Sequence, residues 1–305
     1  MALQQPPYFG LDLNTPLPHS EELTRRLRMA DESGYDLFSV MDHPYAGDRH
    51  EAYATLGYAL GHTRRISGYV GVTNLPLRPA PVLARTVAAL SSLSGGRFVL
   101  GLGSGGIWDR ITQFGVPRMS PGDAVSAFEE AIVLIGKLTG GGTAQVTYEG
   151  RFYQVAKATP APVPTPRIWT GANGPRALAI TGRLTDGWIP SFGADWLSER
   201  YRTSRPLVDR AAQEAGRDPS EVISYFNFGG ALTDHDLPAP RDAEGRWVGG
   251  STRQWIEELT GAVLEHGAGG FNTHLTDSSG EADLDTARRF ADEVIPAVRA
   301  AVAAH

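Results

Sequence analysis

The strongest constraint in this sequence is a rhythm. Short apolar runs rich in β-branched and aromatic residues alternate with stretches of helical spacing, and the alternation occurs eight times. The expected strands are Tyr8 to Leu13, Leu37 to Met41, Ser67 to Val72, Phe98 to Leu102, Ile168 to Thr170, Gly187 to Ile189, Val222 to Phe228 and Gly270 to His274. Helices are expected from Ser20 (as N-cap) to Ser33 with Gly34 as stop, Glu51 to Leu60, through Leu93, Pro121 to Leu138, Pro175 to Gly182, Asp195 to Ala215, Thr252 to His266, and from Asp283 onward. Such alternation builds parallel strands with crossover helices, and eight units point to a (β/α)8 TIM barrel, with a doubly wound open sheet as the alternative.

The rhythm pauses at 104–122, read as an irregular insertion after strand four. Residues 146–154 read as a small hairpin turning at Glu149-Gly150. The Pro-rich stretch at 160–166 resembles a linker, but the βα rhythm resumes directly, so residues 1–305 are expected to form one domain. Residues 234–250 are polar, rich in Gly and Pro and unpatterned, a candidate mobile lid.

Composition fits many short elements. The 36 Gly and 21 Pro among 305 residues exceed average usage of roughly 12%, while a hydrophobic fraction of 41% supports a large core. The absence of Cys excludes a disulfide framework, thiolate zinc, an iron–sulfur cluster and a cysteine nucleophile. A net charge of −6 gives no basic footprint, so neither nucleic acid nor an acidic membrane is expected as partner. The opening residues hold no apolar signal core, and no apolar run approaches the roughly 18 residues of a membrane span. A soluble cytoplasmic protein is the expectation.

In a barrel the chemistry lies where strands end, so the residues after each strand are the candidates. They form a polar, glycine-rich ring: Asp12 and Asn14; Asp42 and His43; Thr73 and Asn74; Gly103 to Gly106; Gly171 to Arg176; Pro190 and Ser191; Phe228 and Gly229; His274. Gly101-Leu-Gly103-Ser-Gly105-Gly106 matches a dinucleotide fingerprint literally, but it follows the fourth strand and no long helix opens there. It is either a tight turn or a place where backbone N–H groups approach a ligand. Gly171-Ala-Asn-Gly174-Pro175-Arg176 leads into a helix with Pro at its first position, an arrangement that suits a phosphate or is an ordinary βα turn. Asp42-His43 is either a proton-transfer pair or a loop-packing pair. Asp12, Asp42, His43 and His274 could also converge on a metal, although no metal-ligand spacing is present. Trp169, Trp188 and Trp196 read as core, and Trp108, after the glycine turn, as a possible ligand-stacking ring.

Three blocks in order and spacing carry a resemblance: Leu37-Phe-Ser-Val-Met-Asp42-His43-Pro; Gly71-Val-Thr-Asn-Leu-Pro-Leu-Arg78-Pro through Leu93-Ser-Gly-Gly-Arg97-Phe to Gly101-Leu-Gly-Ser-Gly; and Pro166-Arg-Ile-Trp-Thr-Gly171-Ala-Asn-Gly174-Pro175-Arg176 through Asp186-Gly187-Trp188. Over roughly residues 8–190 the chain resembles the bacterial luciferase-like flavin oxidoreductase family. The resemblance implies a barrel that binds the deazaflavin F420 or FMN across its mouth. A bulge with a non-prolyl cis peptide, matching Gly71–Val72, would back the ring, with Thr73 and Asn74 beside it. Phosphate contacts would come from Gly103, Ser104, Gly105 and Gly106 and from Gly171, Ala172, Asn173, Gly174, Pro175 and Arg176.

Asp42-His43 and the Gly-Val-Thr-Asn block look like the F420-dependent branch, in which a matching His lies near the hydride-accepting ring. The implied cofactor is F420, with FMN as alternative. Some F420 sugar dehydrogenases carry an acid where this chain has Gly106, so reduction of a C=C or C=N bond is expected over sugar oxidation. His43 is the expected proton donor, with Asp42 orienting it. An FMN monooxygenase and a non-catalytic flavin-binding protein are the alternatives. The resemblance further implies a homodimer acting on a small molecule, with a separate cofactor reductase as a further partner.

Overall fold

The computed structural model describes residues 6–13, 16–191 and 193–305; Asn14 lies outside them. Numbering the barrel strands alone, β1 (Tyr8–Asp12), β2 (Leu37–Val40), β3 (Ser67–Val70), β4 (Phe98–Gly103), β5 (Arg167–Thr170), β6 (Gly187–Trp188), β7 (Ile223–Thr233) and β8 (Ala268–Thr276) pair in parallel. Gly10 on β1 registers with Leu37 on β2 and with Asn272 on β8. Ser224 on β7 registers with Trp188 on β6, so the ring has no open edge. This closure excludes the open-sheet alternative.

The helices α1 (Ser20–Glu32), α2 (Ala52–Gly61), α3 (Ala80–Ser94), α4 (Pro121–Thr139), α5 (Pro175–Leu184), α6 (Glu199–Glu214) and α7 (Thr252–His266) follow successive strands. The last, α8 (Leu284–Arg289), continues through a π-helical turn into Ile295–Ala303. Local chemistry fixes their ends. Ser251 and Gln254 form a capping box at α7, and Gly95 closes α3 in the left-handed conformation that lacks a steric cost only for glycine. Ser20 is not the cap of α1: His19 holds that position, and the Ser20 hydroxyl donates to Leu17 O at 3.0 Å.

The barrel interior is a plug rather than a pore. Tyr69, Trp169 and Tyr225 pack against each other with ring centroids 4.7–5.7 Å apart, above Leu37 and Val99. Trp169, Trp188 and Trp196 are all buried, as their core reading expects. Gly10 makes room for the plug, because a methyl group there would overlap the Tyr225 hydroxyl.

Three segments depart from the sequence reading. The hairpin pairs Val146–Glu149 with Gln154–Ala158, so its loop is longer than a turn at Glu149-Gly150. The Glu130 carboxylate on α4 explains this, accepting from the backbone N–H groups of Arg151, Phe152 and Tyr153. The insertion holds a helical turn at Trp108–Ile111. Segment 234–250 is pinned rather than loose. Arg241 pairs with Asp195 at 2.6 Å and with Glu258, and Trp247 is buried between Phe228 and Trp255.

Gly10→Ala is expected to destabilise the fold by about 1–3 kcal/mol through overpacking, and Tyr225→Phe should recover part of that loss. Urea unfolding of the single and double variants measures both.

Candidate active site

At the strand C-termini, a cavity of about 410 Å³ lies between the ends of β2, β3, β4 and β5. His43 and Asp42 border it from β2, and Gly71, Val72, Thr73 and Asn74 from the segment after β3. Gly103, Ser104, Gly105, Gly106 and Ile107 line it after β4, and Gly171, Asn173 and Gly174 after β5. The peptide bond Gly71–Val72 is cis, and the chain re-enters the sheet at Thr73–Asn74 beside β4.

The glycines of this cavity divide by what their missing side chains would meet. A methyl at Gly103 would lie 2.8 Å from Val72 Cγ2, and one at Gly171 would lie 3.1 Å from it. These two glycines therefore admit Val72 of the bulge. Gly105 has φ +94° and faces Pro76, the tight-turn role. Gly106 and Gly174 differ, since a methyl at either would meet nothing within 4 Å. There the absent side chain leaves open space, and at Gly174 the first turn of α5 presents its backbone N–H groups.

An ion cluster centred on the buried Asp42 holds the bulge. Asp42 accepts from Arg78 Nε and Nη2, both at 2.6 Å, and from the backbone N–H of Asn74 at 2.9 Å. Arg78 also pairs with Glu51, and its guanidinium lies 4.4 Å from the Tyr53 ring centroid. The Tyr53 hydroxyl lies 2.7 Å from Thr73 Oγ1. Arg78, Glu51 and Tyr53 have no place in the sequence-derived site. The quoted block contains Arg78 without any sign of its partner, because Asp42 lies on a different strand end.

This cluster changes the reading of the Asp-His pair. The Asp42 carboxylate is committed to Arg78 and Asn74, so it acts on His43 through its field rather than as an orienting hydrogen-bond partner. Partial burial pushes the His43 pKa down, against the upward pull of Asp42, and the imidazole is neutral at neutral pH. A neutral imidazole suits proton acceptance, whereas the sequence reading makes His43 a donor. Its ring meets Tyr45 edge-on at 5.3 Å.

Three expected residues stay out of the cavity. Ala172 is buried, with its carbonyl accepting from Trp188 Nε1 at 2.9 Å. Pro175 occupies the first turn of α5. Arg176 turns toward α4, where it donates to Ser126 Oγ at 3.1 Å. Trp108 is also outside the lining, which Ile107 joins in its place. The four metal-ligand candidates do not converge: Asp12 pairs with His274, Asp42 pairs with Arg78, His43 borders the cavity, and the described residues hold no group of three such ligands.

The residues present fit a flavin-type ring. Asn74 Oδ1 is buried without a hydrogen-bond partner beside the cavity, an acceptor suited to a ring N–H. Gly106 and Gly174 leave approach space for a phosphate-bearing chain.

Fold and cavity together define a (β/α)8 barrel with a glycine-walled site at the strand C-termini, where barrel enzymes carry their chemistry. The chain belongs to the luciferase-like monooxygenase family, whose model matches residues 6–298. It is 33% identical over 218 residues to an F420-dependent glucose-6-phosphate dehydrogenase of Microbacterium testaceum, covering 68% of this chain and 63% of that relative. It is 28% identical to a 5,10-methylenetetrahydromethanopterin reductase of Archaeoglobus fulgidus, covering 77% of this chain and 67% of the relative. An F420-dependent secondary alcohol dehydrogenase, solved with an F420-acetone adduct, superposes with a TM-score of 0.79 over 96% of this chain and 99% of its own. At 18% identity that likeness carries the fold alone.

Arg78→Met strands a buried carboxylate, and the expected stability loss is about 3 kcal/mol, with Asp42→Asn in the same chain restoring part of it. Equilibrium unfolding measures the pair. His43 generates a pH prediction. Its folded pKa lies below the unfolded value of 6.5, so between the two the unfolded state binds the extra proton. Stability therefore rises with pH across that window and is lost as the pH falls through it. His43→Gln should lose less melting temperature than the parent chain between about pH 7 and pH 5.

Proposed function

We propose that this chain is an F420-dependent oxidoreductase that transfers a hydride between the deazaflavin and a small organic substrate, reducing a C=C or C=N bond. The observation that carries this reading is the unpartnered Asn74 Oδ1 in a cavity that also presents His43 and the open backbone at Gly106 and Gly174. The F420-dependent glucose-6-phosphate dehydrogenase relative supports the choice of deazaflavin. An FMN monooxygenase is the second reading, favoured by the family to which the chain belongs.

When bound, the reduced deazaflavin supplies the hydride. The residues do the rest. Gly71 and Val72 back the ring, and Thr73 and Asn74 hold its polar edge. Gly103, Ser104, Gly105 and Gly106, with Gly171, Asn173 and Gly174, receive the phosphate-bearing chain. Arg176, which donates to Ser126 Oγ, serves from the outer rim. His43, a neutral imidazole, exchanges a proton at the ring edge, taking one up in the direction of substrate reduction. Asp42 fixes the bulge through Asn74 N–H and biases the field at His43.

The same proposal takes the whole chain as one barrel domain, cytoplasmic and served by a separate cofactor reductase. No helix of the described residues is long and apolar enough to cross a membrane. A homodimer is included, because Val82 and Leu93 expose an apolar face on α3 that a second copy can cover.

Titration of the purified chain with F420 and with FMN tests this reading, with F420 expected to bind at least about tenfold more tightly, equivalent to 1.4 kcal/mol. Binding of FMN alone, with oxygen consumption, would favour the monooxygenase; binding without turnover, a flavin carrier; binding of neither would overturn the proposal. Gly174→Val should weaken F420 binding by about tenfold or more without lowering the melting temperature, because its side chain enters open space.

A further inference from the structure

Across the mouth from the glycine turns, β7, β8, β1 and β2 raise a second polar wall. Asp12 ends β1 and His274 lies near the end of β8, with His274 Nδ1 3.3 Å from Asp12 Oδ2. Ser39 Oγ on β2 donates to the other carboxylate oxygen at 3.0 Å. One pleat deeper, Asn272 Nδ2 donates to Asn227 Oδ1 at 3.0 Å. Asn272 Oδ1 is buried without a hydrogen-bond partner.

The backbone is shaped around this wall. A methyl at Gly10 would collide with Tyr225 and come within 3.1 Å of Asn272 Oδ1, and one at Gly229 would collide first with the His274 backbone carbonyl and then lie 2.8 Å from His274 Cβ. Glycine on the neighbouring strands thus makes room for the polar side chains. His274 borders two cavities, of about 420 and 370 Å³, one shared with Asp12 and Arg26 and the other with Asn227 and Trp247.

The chemistry follows from the pairing. A carboxylate beside Nδ1 orients an imidazole and keeps a proton on that nitrogen, so that Nε2 faces a bound molecule, accepting a proton when the ring is neutral and giving one when the ring is doubly protonated. Buried acceptors and hydroxyls left unmatched cost free energy, which a polar ligand group recovers. Hydride delivery to the carbon of a polarised double bond drives charge onto its heteroatom, where a positioned donor lowers the barrier.

We propose that this wall is the substrate side of the active site, and that His274, oriented by Asp12, gives the proton to the heteroatom of a C=O or C=N substrate. The inference rests on the F420 reading above and shifts its substrate class from C=C or C=N bonds to C=O or C=N bonds. In the step, a hydride leaves the reduced deazaflavin and forms the new C–H bond. The π pair of the C=O or C=N bond takes the proton from Nε2 of the doubly protonated His274 ring and forms O–H or N–H, leaving His274 neutral with its remaining proton on Nδ1 beside Asp12. The cofactor is oxidised by two electrons as the substrate is reduced by two, and the cofactor's remaining proton passes to the His43 side. His43 and His274 then work on opposite sides of the reacting pair.

The test uses the full chain with Asp12→Asn and His274→Gln. F420 affinity, read by fluorescence titration, should stay within about twofold in both variants; failure of the parent chain to bind F420 would sink the underlying reading instead. Reduced F420 is then mixed with acetone, cyclohexanone, 1-pyrroline or cyclohex-2-enone. The parent chain should oxidise it with the ketones or the cyclic imine. His274→Gln should lower kcat by about 10²-fold or more with KM little changed, and Asp12→Asn should lower it by a smaller factor. Independently of turnover, acetamide, an unreactive carbonyl, should shift the His274 ring ¹⁵N resonances of the F420-bound chain. An unchanged kcat in His274→Gln, or reduction confined to the C=C bond of the enone, would overturn the proposal. So would a panel without turnover, or an acetamide titration that leaves His274 unmoved.

Discussion

A carboxylate with 1% of its side chain exposed has to be compensated, and the compensation of Asp42 organises one side of the barrel mouth. Two guanidinium N–H groups and one backbone N–H take up its lone pairs. The backbone donor belongs to Asn74, just past the cis bond, so the same charge that requires Arg78 also ties the bulge to β2. Arg78 is in turn held by Glu51 and the face of Tyr53, whose hydroxyl reaches Thr73. The bulge is thereby fixed from both flanks before any ring rests on it. A pre-set surface of this kind loses less ordering entropy on binding than a loop that must settle around its ligand.

The barrel was legible because its evidence is periodic. Eight apolar runs with helical spacing between them determine strand number and direction, and their closure follows from the pairing of β8 with β1. Boundaries were less legible where a distant side chain decides them. The hairpin loop extends because Glu130 on α4 satisfies three of its N–H groups, and no local turn signal encodes that. The segment 234–250 has loop composition, yet Arg241 finds Asp195 across 46 residues of sequence.

At the site the glycine clusters could be read, but not the different work each glycine does. Asp42-His43 could be picked out by position, whereas its electrostatics depended on Arg78, 36 residues from Asp42. His274 and Asp12 both appeared among the strand-end residues, but pairing across the β8–β1 seam is a consequence of closure. Arg176 shows the reverse case: it directly follows the Gly171–Pro175 turn in sequence, yet its guanidinium reaches Ser126 on α4 rather than the cavity lining.

Glycine, seen this way, is more than turn punctuation. Gly103 and Gly171 give space to Val72, a piece of the protein's own backbone bulge. Gly10 and Gly229 give space to Tyr225 and His274, so polar groups can stand where a strand would otherwise place a Cβ. Gly106 and Gly174 give space to nothing in the chain. The first two uses build the walls of the mouth, and the third leaves a gap between them. Because substitution by alanine is opposed by protein atoms in the first four cases and by none in the last two, stability and ligand affinity separate cleanly along this list, and the residues whose small size serves a ligand are the ones that folding does not need.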